Sequence, residues 1–318
     1  MLNFADEFFR PEVRENFQID TTMKTVWAAQ LEVLSEINKV CERHGLTWYM
    51  AFGSLLGAVR HRGFIPWDDD IDICLKREDY MQLLYYLSEE LPKGYVVRSP
   101  LLDSWYPEYH SCVVNSDSIS IEPEHLKQFH GCPFVVGIDV FPLDLLEEGE
   151  ENSLRINLFK AARQAALMIK SEEINEELND ILDILEKQCD VTIDRSGLSK
   201  DCSEDVRNEW TAGLWGLANE IVMSSSGKKT ADLAMYLDYL KFGKYYQASW
   251  FDTVEWMPFE GVMVPVPGGY DKILRATYGD YSVCIRNTAL HGYPFYNKQL
   301  EQLRKRVAEI EGVRKRED

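Results

Sequence analysis

The sequence is poor in basic residues. It contains 34 Lys and Arg against 53 Asp and Glu, which gives a formal net charge of −19. Such a chain repels phosphate-dense surfaces, so we expect neither nucleic acid nor an anionic bilayer as its main partner. A phosphate compound can still bind to an acidic protein when divalent cations lie between the two. The charge balance therefore favours a site that contains metal ions.

Long apolar runs are also missing. No uninterrupted apolar stretch has the roughly 20 residues needed to cross a bilayer. Residues 1–15 contain acids and lack the basic start and apolar core of a signal peptide. The seven cysteines are odd in number, and the nearest two, Cys189 and Cys202, are 13 residues apart, which excludes a CxxC motif and a dense disulfide framework. We expect a cytoplasmic protein with reduced thiols and no membrane span.

The apolar periodicity indicates a mixed α/β fold. Apolar residues that recur three and four positions apart predict a helix over residues 22–44, and Gly45 is expected to end it. A short second helix is expected over residues 54–61, beginning within the small-residue pair Gly53-Ser54. Short β-prone runs predict strands over residues 47–52, 70–75, 95–98, 110–115 and 134–141.

The pattern changes along the chain and suggests three parts. The hydrophobic content of 45% is sufficient for a core, which we place in a mixed sheet flanked by helices over residues 1–149. Residues 150–250 are polar and helix-rich, and we predict a helical subdomain or insertion there. Residues 251–318 are expected to form a hairpin and helices that return to the core.

An unusually dense group of acids lies at residues 68–72. Strict alternation from position 70 to 75 would place Asp70 and Asp72 side by side on one face of a strand. Four acids in five positions repel one another strongly unless a cation neutralises them. A folded site there therefore calls for a hard metal ion with oxygen ligands.

A third acid on a neighbouring strand would complete such a site. Asp139 lies in the strand predicted over residues 134–141 and is the natural choice. Carboxylates of this kind can bridge paired Mg²⁺ or Mn²⁺ ions, which orient the attacking oxygen and stabilise the departing one during displacement at phosphorus. We therefore predict a two-ion site on Asp70, Asp72 and Asp139, with these residues also catalytic.

Candidate phosphate contacts precede the acids. Gly53 and Ser54 fall where a strand meets a helix, so backbone N–H groups there could hold phosphate oxygens, and Gly53 permits close approach. Arg60 and His61 are potential cations near the acids and could complement a diphosphate.

Structural interpretations of the same residues stay open. The acid cluster could be a solvated turn, or the spacing of Asp68, Asp70 and Asp72 could mimic a calcium loop, although Ile73 occupies the position where that loop needs Gly. Asp139 could instead pair with an arginine. Gly53-Ser54 could be a plain turn, Arg60 could bridge surface acids, and His61 could be a structural histidine.

Residues 53–73 resemble the signature of the LicD family of phosphotransferases, which belongs to the nucleotidyltransferase superfamily. A weaker similarity extends through residues 137–144, 259–261 and 278–280. In that family a small-residue turn precedes an acid-x-acid strand, and a later strand supplies another acid; Asp70, Asp72 and Asp139 match these positions. The superfamily usually places its acid pair slightly closer to the glycine turn, which makes Asp68 a further candidate metal ligand.

The resemblance implies a nucleotidyltransferase-like core and a chemistry. It implies a CDP-linked donor, often CDP-choline, and a sugar or glycan hydroxyl as acceptor, so that phosphocholine or a related alcohol phosphate is transferred. Two alternatives stay open on the residues alone. One is a nucleotidyltransferase that releases pyrophosphate, and the other is a non-catalytic protein that binds metal or glycan.

Overall fold

The computed structural model describes residues 1–146, 149–224, 232–286, 293–305 and 307. The α-helices follow the chain as α1 (Thr21–His44), α2 (Phe52–Arg60), α3 (Arg77–Glu90), α4 (Pro123–Gln128), α5 (Glu150–Lys170), α6 (Glu176–Cys189), α7 (Glu204–Met223), α8 (Tyr236–Phe242) and α9 (Tyr270–Tyr278). Residues 297–305 are also helical, whereas residues 308–318 of the predicted C-terminal part lie outside the described residues. Among the helices of the described ranges, none is both long and apolar enough to cross a membrane.

A seven-stranded mixed sheet forms the centre of the fold. The strands are β1 (Glu12–Arg14), β2 (Phe17–Ile19), β3 (Trp48–Met50), β4 (Asp72–Lys76), β5 (Val96–Arg98), β6 (Ser111–Val114), β7 (Gly137–Leu145), β8 (Asp232–Ala234), β9 (Tyr246–Gln247), β10 (Val254–Phe259) and β11 (Val262–Pro267). The order in the sheet is β3-β4-β7-β6-β5, β8 pairs with β7, and β9 pairs with β8. Strands β4 and β7 are parallel and their neighbours antiparallel. The predicted mixed α/β class is confirmed.

Helix α1 shows why local sequence was sufficient for much of this core. The side chain of Asp20 accepts a hydrogen bond from the N–H of Met23, and Gly45 ends the helix with a φ of 67°. The buried face includes Trp27, whose ring stacks on Phe64 at 4.5 Å between centroids. The helix predicted over residues 22–44 is therefore confirmed, and it packs beside the sheet strand β7.

The parallel register of β4 and β7 brings the two predicted acid strands together. Asp72 is paired with Asp139 at the start of the ladder. The strand predicted over residues 70–75 begins two residues later than expected, so Asp70 lies in the loop that precedes β4 and not on the same strand face as Asp72. The hydrogen bond from the N–H of Asp139 to the carbonyl of Ile71 comes directly before the ladder of β4 and β7. Asp70 precedes this bond and therefore lies outside the ladder.

The predicted helical region does contain long helices, but it also contains sheet strands. Helices α5, α6 and α7 enclose an apolar cluster of their own that includes Phe159, Leu182 and Trp215. Strand β8 nevertheless pairs with the last two residues of β7, and this strand is absent from the sequence prediction because three residues carry too short a pattern to recognise. The boundaries at residues 149 and 250 stay predictions.

Candidate metal centre

The carboxylates of residues 68–72 lie in one small region between α2 and β4. Oxygen atoms of Asp68, Asp69 and Asp70 all lie within 4.8 Å of one another. Asp72 follows as the first residue of β4, with Asp139 opposite it on β7. Neighbouring strands are about 4.8 Å apart, so Asp72 and Asp139 are adjacent across the ladder. The loop and the two strand starts thus assemble one carboxylate cluster.

Burial and mutual repulsion both act on these acids. Burial raises the pKa of Asp68 to about 8, and the neighbouring Asp70 and Asp69 add to the increase. Burial likewise raises the pKa of Asp72, with contributions from Asp70, Asp139 and Asp68. A divalent cation would relieve both effects, and a donor set made of carboxylate oxygens suits Mg²⁺ or Mn²⁺. The residues present therefore fit the predicted metal ions.

The small residues of α2 shape the acid cluster directly. A Cβ on Gly53 would lie 2.7 Å from Oδ2 of Asp68, so the carboxylate occupies space that only glycine leaves free. The hydroxyl of Ser54, which is buried, accepts a hydrogen bond of 2.9 Å from the N–H of Asp72. Gly53 and Ser54 thus contact the predicted metal ligands, and their role in holding phosphate stays a prediction.

Replacing Gly53 by Ala should displace Asp68 while the fold is kept, because the added Cβ meets a side chain and not the backbone. Misplacement of a ligand by about 1 Å can cost roughly 10²-fold. We expect the Mg²⁺ concentration that half-saturates the thermal stabilisation to rise at least tenfold. Gly213→Ala in α7 is the matched control, since its Cβ would meet no atom within 4 Å. Equal Mg²⁺ dependence in both variants would remove Asp68 from the ligand set.

Asp69 differs from its neighbours. Its Oδ2 accepts a hydrogen bond of 2.7 Å from the N–H of Phe295, and its carbonyl accepts one of 2.9 Å from the side chain of Gln30. The indole of Trp27 donates to the carbonyl of Asp68 at 3.3 Å. Side chains of α1 therefore fix the loop that carries the acids, and the Asp69 carboxylate is partly used to hold a C-terminal segment.

His110 is a candidate functional residue that the sequence analysis did not single out. Its Nε2 lies 3.5 Å from Oδ2 of Asp139, and its ring stacks on Phe141 at 4.7 Å. Burial lowers the pKa of His110, whereas the nearby Asp139 carboxylate raises it. The pKa of His110 is raised overall. Cys112 is paired with Asp139 across β6 and β7. His110 thus contacts the Asp139 carboxylate and can orient it. The available signal was its position at the start of the strand predicted over residues 110–115.

Removing this support should weaken the metal site without removing a ligand. Groups that orient metal ligands typically contribute 10–100-fold to metal affinity. We therefore expect His110→Asn to raise the half-saturating Mg²⁺ concentration by about that factor in thermal titrations. His44→Asn serves as the control, because His44 pairs with Glu90 at 2.6 Å at the end of α1. A His110 variant that titrates like the control would limit His110 to packing.

Arg60 and His61 are placed with other partners. Arg60 donates to the carbonyl of Tyr281 at 3.0 Å, and His61 Nε2 lies 3.0 Å from Oε1 of Glu15. These contacts join the end of α2 to the N-terminal hairpin and to the segment after α9. The structure does not bring the two side chains into contact with the acid cluster, so their predicted role in binding a diphosphate is not supported by these contacts.

Two side chains from the C-terminal half of the chain lie near the cluster. Burial raises the pKa of Tyr278, and the charges of Asp72 and Asp68 contribute to this increase, which locates the phenol beside the acids. Tyr278 ends α9. Asp238 of α8 also lies within electrostatic range of Asp72. Sequence analysis missed both residues because only the fold brings α8 and α9 next to β4.

Fold and site together define a mixed α/β protein with a carboxylate cluster at the start of a parallel strand pair. Residues 45–181 match the family model described as LicD/FKTN/FKRP, nucleotidyltransferase domain. That range contains the acids at 68–72, His110 and Asp139. Over these residues the chain is similar to the LicD family.

Curated relatives are similar over short segments. The lipopolysaccharide cholinephosphotransferase LicD of Haemophilus influenzae is 38% identical over 65 residues, which are 20% of this chain and 24% of that protein. The uncharacterised protein RP689 of Rickettsia prowazekii is 35% identical over 66 residues, or 21% of this chain and 25% of the relative. The matches thus span about a quarter of the length of these relatives.

Proposed function

We propose that this protein is a divalent-metal-dependent transferase that moves phosphocholine, or a related alcohol phosphate, from a CDP-linked donor to a sugar or glycan hydroxyl. The observation that supports this most is the convergence of Asp68, Asp70, Asp72 and Asp139 within the segment that matches the LicD family. The similar Haemophilus influenzae protein is a lipopolysaccharide cholinephosphotransferase, which supports the choice of headgroup and acceptor.

In this proposal the carboxylates hold the ions and the turn before α2 holds the donor. Asp70, Asp72 and Asp139, with Asp68 as a further ligand, would bind Mg²⁺ or Mn²⁺, and the bound ions would supply positive charge for the donor diphosphate. The N-terminal end of α2 at Gly53 would offer N–H groups to phosphate oxygens. His110 would keep the Asp139 carboxylate in its orientation.

The reaction is a displacement at one phosphorus atom. The acceptor hydroxyl oxygen forms a bond to the phosphorus that carries the alcohol, and the bond from that phosphorus to the oxygen of CMP breaks. The hydroxyl proton passes to Asp72 or Asp139, which thereby acts as general base. The products are a phosphodiester on the acceptor and CMP.

The experiment is a thermal titration of the purified protein with CDP-choline, CTP and other CDP-linked alcohols, each with and without Mg²⁺ or Mn²⁺. A ligand at 100 times its Kd stabilises the folded state by about 2.7 kcal/mol. We expect stabilisation by CDP-choline or another CDP-alcohol that requires the metal, followed by CMP release when an acceptor is added. Stabilisation by CTP alone with release of pyrophosphate would replace this proposal by nucleotidyl transfer. Ligand binding without metal or turnover would favour a non-catalytic role.

A further inference from the structure

A second group of potential metal ligands lies at the other end of α2. Glu15, His61 and Cys284 each offer one ligand atom, and these atoms all lie within 4.8 Å of one another. The thiol of Cys284 donates to Oε2 of Glu15 at 2.6 Å, and Oε1 of Glu15 lies 3.0 Å from Nε2 of His61. The three residues come from the β1–β2 turn, the C-terminal end of α2 and the segment after α9. Only the fold brings them together.

The composition of this group differs from that of the acid cluster. Thiolate sulfur, imidazole nitrogen and carboxylate oxygen together are typical Zn²⁺ ligands, whereas Mg²⁺ prefers oxygen alone. Zn–S bonds of about 2.3 Å and Zn–N or Zn–O bonds of about 2.0–2.2 Å place tetrahedral ligands about 3.3–3.6 Å apart. Loss of the thiol proton that now bonds to Glu15 would allow the sulfur and the oxygen to move apart to about this distance. One thiolate and one carboxylate would then balance the charge of the ion.

The segment that carries Cys284 is already fixed on both sides. Before it, Arg60 donates to the carbonyl of Tyr281 at 3.0 Å. After it, the guanidinium of Arg286 lies 4.6 Å from the ring centroid of Phe17 and 5.8 Å from that of Trp67. These contacts hold the thiol against α2 and the N-terminal hairpin without any metal. Such preorganisation lowers the entropic cost of closing a site between distant parts of the chain.

We infer that Glu15, His61 and Cys284 form a structural Zn²⁺ site, with a water molecule as the fourth ligand. The ion connects the N-terminal hairpin and the segment after α9 to the end of α2. His61 begins the loop that leads to Asp68, so the ion also fixes the start of the loop that carries the acid cluster. This assigns His61 to a structural site in place of a contact to the donor phosphates.

Cobalt substitution tests the inference because only a thiolate ligand produces a sulfur-to-cobalt charge-transfer band. The full chain is freed of metal, kept reduced, and titrated with Co²⁺ and then Zn²⁺ in excess Mg²⁺. We expect one Co²⁺ per chain with the charge-transfer band, and its displacement by Zn²⁺. Cys284→Ser should abolish the band. Cys202→Ser is the matched control and should keep it, since Cys202 is partly buried and outside the cluster.

Two further variants separate this site from the acid cluster and from folding defects. The double variant Asp70→Asn with Asp72→Asn should keep the band, because neither residue belongs to the second group. Glu15→Gln should keep the band and weaken Co²⁺ binding by about tenfold or more, since even groups that merely orient ligands contribute 10–100-fold. A wild-type protein that binds Co²⁺ without the band, or a band that survives Cys284→Ser, would overturn the inference.

Discussion

Replacing Asp72 by Asn is expected to lower turnover by at least about 10²–10³-fold and, without metal, to raise the melting temperature. The first effect is the loss expected when one preorganised electrostatic contact to the reacting phosphate is removed. The second follows from the raised pKa of Asp72, which burial and the nearby Asp70 and Asp139 cause. A carboxyl group whose folded-state pKa lies above its unfolded value destabilises the fold once pH rises past that unfolded value. At neutral pH the neutral amide is therefore the more favourable side chain when no ion is bound.

In the presence of metal, the wild type should have the higher melting temperature and Asp72→Asn the lower one. We expect the wild type to gain stability from Mg²⁺ by mass action, and Asp72→Asn to lose most of that gain. Melting curves in chelator and in saturating Mg²⁺, together with initial rates, measure both effects in one preparation. Asp117→Asn is the control, because it removes one exposed acid that lies 3.8 Å from Arg98. Retained turnover, or full stabilisation of the variant by Mg²⁺, would contradict the metal-ligand role of Asp72. A lower melting temperature in chelator would contradict the repulsion between Asp72 and its neighbours.

The sequence was informative where structure depends on nearby residues. Helix α1 and the β10–β11 hairpin have strong local patterns, and the structure has both. The acids at 68–72 stood out because their density is difficult to accommodate in a fold without a cation. The sequence could predict that the strand of Asp139 lies near these acids. It could not predict which residues pair, because the register of the strands depends on the fold.

Other parts of the candidate site depend on contacts between distant segments. His110 lies directly before β6, and Tyr278 and Asp238 lie in α9 and α8. All three come near the acids only in the fold, and none has a local pattern that points there. Proximity in sequence was misleading for Arg60, because α2 directs it to the carbonyls of the segment after α9. Arg60 lies at the C-terminal end of α2, whereas the acids lie near its N-terminal end. A residue close to the acids in sequence is therefore separated from them by the length of a short helix.

Residues 259–261, for which we predicted a weaker resemblance to the LicD family, contact the loop before the acids. Glu260 forms a two-pronged ion pair with Arg14, and its Oε1 accepts a hydrogen bond of 3.3 Å from the N–H of Phe64. A Cβ on Gly63 would overlap with this carboxylate. The turn of the β10–β11 hairpin thus holds the loop that runs to Asp68. A segment far from the acids in sequence therefore supports their loop through packing.

Asp144, in the segment 137–144 that also contains Asp139, has a different role from its neighbour. Arg77 binds it through two hydrogen bonds, Nε to Oδ1 at 2.6 Å and Nη2 to Oδ2 at 2.8 Å. The same guanidinium donates to Oδ1 of Asn219 at 2.8 Å and to the hydroxyl of Tyr109 at 3.3 Å. Arg77 therefore connects the sheet to α7. The Asp144 side chain is only 3% exposed, so its charge depends on this partner.

Arg77→Met is consequently expected to lower the free energy of unfolding by about 3–5 kcal/mol, because it leaves a buried carboxylate without its partner. Urea titration measures the change. Arg195→Met removes an arginine that pairs with Asp183 and Glu186 at 2.5 Å near the surface, and such pairs contribute about 0–1 kcal/mol.

The double variant Arg77→Met with Asp144→Leu distinguishes an unpaired charge from a packing defect. Removing both charges of a buried pair is often nearly neutral, so the double variant should regain most of the lost stability. If Arg77→Met does not fold, a folded double variant still shows that the unpaired charge was the cause. A double variant as unstable as Arg77→Met would show that the contacts to Asn219 and Tyr109, and not the ion pair, join the sheet to α7.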